Sequence, residues 1–270
     1  MRAWLYRIAT NACLDALEKR PRRVLPHDVL PPADPHGPPP QVEGDFAWLE
    51  PYPDDLLEGV AAAGDDPTAA FEDKETMELA FLAAIQHLPP KQRAVLILRD
   101  VVAWSANETA DLLDESVVAV KSALQRARAT LKRRVPARRE EWGPTSPPSH
   151  EERAVLQRYM EALEADDNGP LAAVLAEDVR VLNPPIALWA DGRDDFITGS
   201  SMYAPPGEFR AVAARANLQP AVALYLRSPG DSEFRLITLE VLRIEGGQVK
   251  EIVDYGQPEL LAAFGLAPTL

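Results

Sequence analysis

The chain is poor in the residue types that carry metal, redox and nucleotide chemistry. Of 270 residues one is cysteine, Cys13, and four are histidine. A single cysteine forms no intramolecular disulfide, which points to a reducing setting. The scattered histidines have no metal-ligand spacing, so no metal and no other cofactor is expected. No glycine-rich loop of the phosphate-cradling kind is present. No apolar run is long enough to span a bilayer, and the opening residues lack the basic-then-apolar layout of a secretory signal. A cytoplasmic protein without membrane contact is the expectation.

What the chain has in excess is proline, 26 residues, and acid, with a formal net charge of -14. That total argues against a nucleic-acid partner, but its distribution argues for one. Residues 80–149 sum to about +4 and 150–270 to about −9, and screening over roughly 10 Å makes the local patch decisive. Between 117 and 139 stand Lys121, Arg126, Arg128, Lys132, Arg133, Arg134, Arg138 and Arg139, with no acid among them.

Breaks in composition divide the chain. Residues 1–20 form an amphipathic helix, with Trp4, Leu5, Ile8 and Ala12 on its apolar side and no capping residue before it. Residues 21–68 hold too many prolines for a helix or a central strand and read as a linker. Within it the island WLEPYPDDLL is costly to leave in water and is expected to dock. Residues 69–142 are helical. A second break at 143–150 leads into 151–270, where helices are followed by strands and Gly246-Gly247 makes a hairpin turn. That order predicts an α+β domain, a curved antiparallel sheet with helices on one face. The short helix after Asn168-Gly169 is expected to run through LAED, with strands from Val179 onward.

The stretch LPPKQRAVLILRDVVAWSANETADLLDESVVAVKSALQRARATL carries the clearest signal. A helix starts at Pro89-Pro90. Ser105 and Glu108 have capping-box spacing, Asp114 stands at a turn where glycine is common, and Ser116 caps a third helix. Helix, tight turn and helix at this spacing make a helix-turn-helix. Val120, Leu124, Ala127 and Leu131 face its core. Val118, Lys121, Ser122 and Gln125 lie where a recognition helix meets base edges, Ser116 at the helix start is a further DNA-binding candidate, and Arg126, Arg128 and Lys132 continue a phosphate-facing surface.

This run, over roughly residues 80–134, resembles region 4 of sigma-70 family factors of the extracytoplasmic-function (ECF) group. The resemblance implies promoter DNA and core RNA polymerase as partners, with the helix-turn-helix reading the −35 element. RAWLYRIATNACLDAL resembles the end of region 2 in that group, which makes Arg7 and Asn11 candidates for promoter contact. In the group this helix closes a bundle, so the expectation is that most of region 2 is missing here, with Met1 at an internal position or, as the alternative, the chain genuinely truncated. Residues 150–270 resemble the SnoaL-like extension of one subgroup, through Trp189…Gly192-Arg193, ANLQPAVALY and ELLAAFGLAP. Members commonly carry glycine where this chain has Leu218.

The resemblance implies a cone with an apolar pocket, for which Tyr159, Trp189, Asp191 and Tyr225 are candidates and a small apolar ligand a candidate partner. Asp194, Asp254 and Tyr203 are further polar candidates. Some relatives of such domains are isomerases using an Asp/His or Asp/Tyr pair. Here the domain's one histidine is His150, at its edge, so no catalytic residue is assigned. The expected function is a sigma factor with a regulatory C-terminal domain. The alternatives are a free-standing helix-turn-helix regulator and a ketosteroid-isomerase-like enzyme fused to a DNA-binding module.

Overall fold

The computed structural model describes residues 23–38, 46–56, 88–101, 104–134, 149–165 and 168–270. Arg7 and Asn11, the opening helix and the helix expected near residues 69–87 lie outside them. The chain divides into two compact units, one holding Met1–Arg23 with Leu56–Trp142, the other Val24–Asp55 with Gly143–Leu270.

In the first unit α2 (Pro90–Leu96) starts on a proline at its first turn, where no N–H is needed. A wider π-type turn, Ile97–Val101, continues it. Helix α3 (Ala106–Leu113) opens on the expected capping box: Ser105 Oγ accepts from Glu108 N–H, and Ser105 N–H donates to Glu108 Oε2 at 2.8 Å. It ends at Asp114, whose φ of 55° and ψ of 45° are left-handed. Asp tolerates this conformation better than most residues and lets the chain reverse within the turn. Ser116 Oγ then accepts from Ala119 N–H and starts α4 (Val117–Arg134). Val95, Ala110, Leu113, Val120 and Ala123 make one buried cluster, while Leu88, Leu96 and Ala127 make a second. The small residues Ala123 and Ala127 on α4 let the helices approach closely.

The second unit is an α+β cone. A short helix, α1 (Pro26–Val29), lies in its proline-rich segment. Helices α5 (His150–Glu164), capped by Ser149 and Glu152, and α6 (Asn168–Val174) precede a six-stranded sheet. The strands are β1 (Leu175–Leu182), β2 (Trp189–Asp191), β3 (Glu208–Ala216), β4 (Gln219–Arg227), β5 (Arg235–Glu245) and β6 (Gln248–Tyr255). Their order is β2-β1-β6-β5-β4-β3, antiparallel except where β1 runs parallel to β6. Strand β1 begins at Leu175, earlier than expected, because Leu175, Ala176 and Val179 are needed in the core and a register shift absorbs the turn. Helix α7 (Arg193–Tyr203), absent from the sequence expectation, follows Gly192 at φ 113°.

Side-chain alternation sorts the sheet into two faces. Val222, Leu224, Leu242, Ile244 and Ile252 point toward α5 and α6. Ala221, Leu239, Val241 and Tyr255 point the other way, under Leu261 of α8 (Pro258–Leu261) and Phe264. Two hairpins use left-handed two-residue turns. Gly246 and Gly247 adopt φ 56° and 74° as expected, and Asn217-Leu218 adopts 55° and 60°. Leucine in that conformation is strained, so something must hold the β3–β4 turn.

Candidate functional site

Helix α4 presents a polar, basic face built from the first two turns onward. Val118 is 73% exposed, and Lys121, Gln125 and Arg126 are exposed beside a half-buried Ser122. Ser116 is engaged as the helix cap. Spacings of three and four residues bring Val118, Lys121, Ser122 and Gln125 onto one surface. The side chain of Lys132 lies outside the described residues. Arg128 is held differently: its guanidinium makes two bonds to the Asp100 carboxylate, at 3.0 and 2.7 Å. That pair ties the π-type turn to α4, so Arg128 positions the helix as well as charging it. Chemically the face offers a small apolar contact at Val118, a bidentate amide at Gln125 and exposed cations at Lys121 and Arg126.

The second unit carries two notable sites. In the first, residues 24–38 and 46–55 lie along it as a strap. Trp189 Nε1 donates to Leu30 O, and Ala33 N–H donates to Trp189 O, each at 2.9 Å. Val24 bridges Trp48 within the strap. At its far end Tyr52, Pro53 and Asp54 of the expected island dock on the strained turn. Tyr52 N–H donates to Asn217 Oδ1 and Asn217 N–H to Tyr52 O. Asp54 accepts from Leu218 N–H at 2.8 Å and from Arg215 Nε at 3.0 Å. Burial, with the neighbouring Asp55 charge, holds the Asp54 carboxyl above its ordinary value against the pull of these two partners.

The second is a buried acidic cluster on the sheet face beneath α5. Tyr159, fully buried, donates its hydroxyl to Glu240 Oε2 at 2.9 Å. Glu240 stands directly opposite Asp254 across the β5–β6 pair. Asp254 accepts from Asn183 Nδ2 at 2.9 Å and from the Thr238 hydroxyl. Burial, then the neighbouring Asp254 charge, pushes Glu240 up to about 8, against the pull of the Tyr159 bond. Burial likewise pushes Asp254 up to about 7. Tyr159 is held well above its ordinary value by burial and by both acids.

Of the four pocket candidates, only Tyr159 meets this cluster. Trp189 faces the strap, and the Tyr225 hydroxyl donates to Ala267 O at 2.9 Å. Asp191 lines an open polar depression of about 300 Å³ with Glu177, Arg193, Asp194 and Asp195. Sequence reasoning missed Glu240. Its signal was one acid inside the apolar run ITLEVL, at the inward parity of Leu242. Among the described residues no helix is long and apolar enough to cross a membrane, and no group of three or more metal-ligating side chains occurs.

Comparison with known proteins bears on both units. Residues 78–131 match the family described as Sigma-70, region 4. The ECF RNA polymerase sigma factor SigG of Mycobacterium tuberculosis is 40% identical over 275 residues, covering 100% of this chain and 71% of the relative. SigM of the same species is 34% identical over 131 residues, 48% of this chain and 50% of the relative. Among solved structures, the Mycobacterium tuberculosis extracytoplasmic function sigma factor SigJ aligns over 98% of this chain and 84% of its own, at 21% identity and a TM-score of 0.49. A putative ketosteroid isomerase from Kribbella flavida aligns over 40% of this chain and 78% of its own, at 28% identity and a TM-score of 0.34. The extent of the SigG match makes the assignment: this chain belongs to the ECF RNA polymerase sigma factors.

Proposed function

We propose that the chain directs RNA polymerase to promoter DNA in the cytoplasm, and that its C-terminal unit regulates this by holding the strap at residues 24–38 and 46–55. The observation that supports the first part is the recognition face of α4, with exposed Val118, Lys121, Gln125 and Arg126 on a helix-turn-helix whose turn and caps are complete. Cations on that face gain affinity by releasing counterions from phosphate, while Gln125 and Val118 discriminate bases. The proposed domains are 1–20 (end of region 2), 69–142 (region 4) and 151–270 (SnoaL-like), joined by 21–68 and 143–150. The strap supports the regulatory part. The segment joining the two promoter-reading regions is bonded to the C-terminal unit at Trp189 and at the 217–218 turn. No chemical step is assigned to this chain.

The deciding experiment mixes the full chain with core RNA polymerase and a promoter fragment. Co-elution with polymerase and promoter-dependent transcription are expected. Binding to DNA without polymerase would instead make the chain a free-standing regulator. Deleting 150–270 should change promoter binding or transcription across salt concentrations, and an unchanged profile would overturn the regulatory role.

A further inference from the structure

The acid pair under α5 has no place in promoter recognition, and its surroundings are unusual. Glu240 is 7% exposed and Thr238 6%, while Tyr159 is closed to solvent. No lysine, arginine or histidine among the described residues pairs with either carboxyl. From α5 comes Tyr159, from β5 Thr238, from β6 Asp254 and from the turn after β1 Asn183. From β4 the register partner of Glu240 is the apolar Val222. Two carboxylates side by side in such a place cannot both stay charged without mutual repulsion and dehydration cost.

The donors are unequally shared. Asp254 receives two, from Asn183 and Thr238, and Glu240 receives one, from Tyr159. Hydrogen bonds donated to a carboxylate favour its charged form. As pH rises the first charge therefore falls on Asp254 and the last proton stays on Glu240, and the two act as a single coupled group. Asp254 and Asn183 are half-buried, so the proton has an exit at that rim, while Glu240 lies deeper.

The rim is joined to the strap. Asn183 N–H donates to Leu188 O at 3.0 Å, closing the turn that leads into Trp189. Trp189 pairs with Leu182 and holds the strap at Leu30 and Ala33. We propose that Glu240 and Asp254 form a one-proton clasp that makes the C-terminal unit's grip on residues 24–38 depend on pH. With the proton held, the β5–β6 pair closes, Asn183 stays on Asp254 and the strap stays docked. When the last proton leaves, two like charges oppose each other across the strands, the Asn183 turn loosens and Trp189 releases its two backbone bonds. Mildly alkaline pH thus frees the strap. The idea rests on the strap-holding role proposed above, but its readout does not involve polymerase.

The test is amide hydrogen exchange on the full chain at pH 6 and pH 9, corrected for intrinsic rates. The Ala33 amide should lose at least about tenfold protection between the two, the change one unit of coupling produces. Glu240→Gln, which removes the second charge and keeps an acceptor for Tyr159, should hold protection equal at both pH values. Unchanged protection in the wild type, or full pH dependence in Glu240→Gln, overturns the clasp. If that variant fails to fold, carboxyl-carbon NMR titration of the wild type decides instead. Two coupled steps above the usual carboxylate range support the clasp; both groups ionising below about pH 5 overturn it. A pH-dependent strap whose deletion leaves transcription unchanged would retain the clasp and remove only the regulatory role.

Discussion

Asp54→Ala isolates the strap's far anchor. The carboxylate holds two bonds, to Leu218 N–H at 2.8 Å and to Arg215 Nε at 3.0 Å, with side-chain exposures of 15% for Asp54 and 33% for Arg215. Hydrogen bonds to a charged group contribute about 1.5–3 kcal/mol each. Burial is the largest influence on the Asp54 carboxyl and leaves it raised, so dehydration offsets much of that gross gain. The net loss is therefore put at about 2 kcal/mol, a shift of roughly 30-fold in strap docking. The loss also leaves Leu218, at φ 60°, without its strap partner in a conformation costing about 1–2 kcal/mol. Hydrogen exchange should show the amides of Tyr52, Asn217 and Leu218 losing protection by about that factor, while those of Ala223 and Leu242 in the sheet keep theirs. Asp54→Asn, which retains an acceptor for Leu218, should fall between. Unchanged protection at all three amides would refute the anchor. Equal loss throughout the sheet would refute it differently, by making Asp54 part of the fold rather than of a docking contact.

Lys121→Ala should weaken DNA binding on all sequences and reduce the salt slope by about one counterion. Gln125→Ala should alter base preference instead, and Arg128→Ala, whose guanidinium is held by Asp100, should change the slope less than Lys121→Ala. Binding isotherms at several salt concentrations on matched and mismatched duplexes separate the three. Ser105→Ala removes the α3 cap and should cost the helix-turn-helix about 1 kcal/mol, read as a lower denaturation midpoint.

Local chemistry was legible and distant chemistry was not. The capping box at Ser105 and Glu108, the left-handed Asp114 and the Gly246-Gly247 turn each depend on residues within four positions, so a window of sequence contains the whole argument. The island at 48–57 could be recognised as needing a partner, because its apolar side chains are costly in water. Which partner it takes is set by a hydrogen bond from Tyr52 to Asn217, 165 residues away. Leu218 was visible as an odd residue for its position. Its left-handed geometry becomes intelligible once Asp54 is seen accepting from its amide. Helix α7 escaped notice because RDDFITGSSMY has weak apolar periodicity and rests on neighbours for its stability.

The acid pair shows why an inward residue can be sensed but not interpreted from sequence. Alternation along β5 puts Thr238, Glu240, Leu242 and Ile244 on one face, and that much is a period-two argument. Whether Glu240 is neutral depends on the register that sets it against Asp254 and on α5 delivering Tyr159 from 81 residues away. Both acids bind protons more tightly folded than unfolded, so the folded state is favoured at low pH. Stability is fully present below the unfolded carboxylate range near 4 and falls as pH rises toward the folded values of about 7 and 8. This slope is opposite to that of a salt-bridged carboxylate, which loses stability on acidification. A cluster kept only for packing would be better served by leucine, which packs without any charge to dehydrate. What the acids add is a dependence on pH, set beside the turn that leads to Trp189 and its two bonds to the strap.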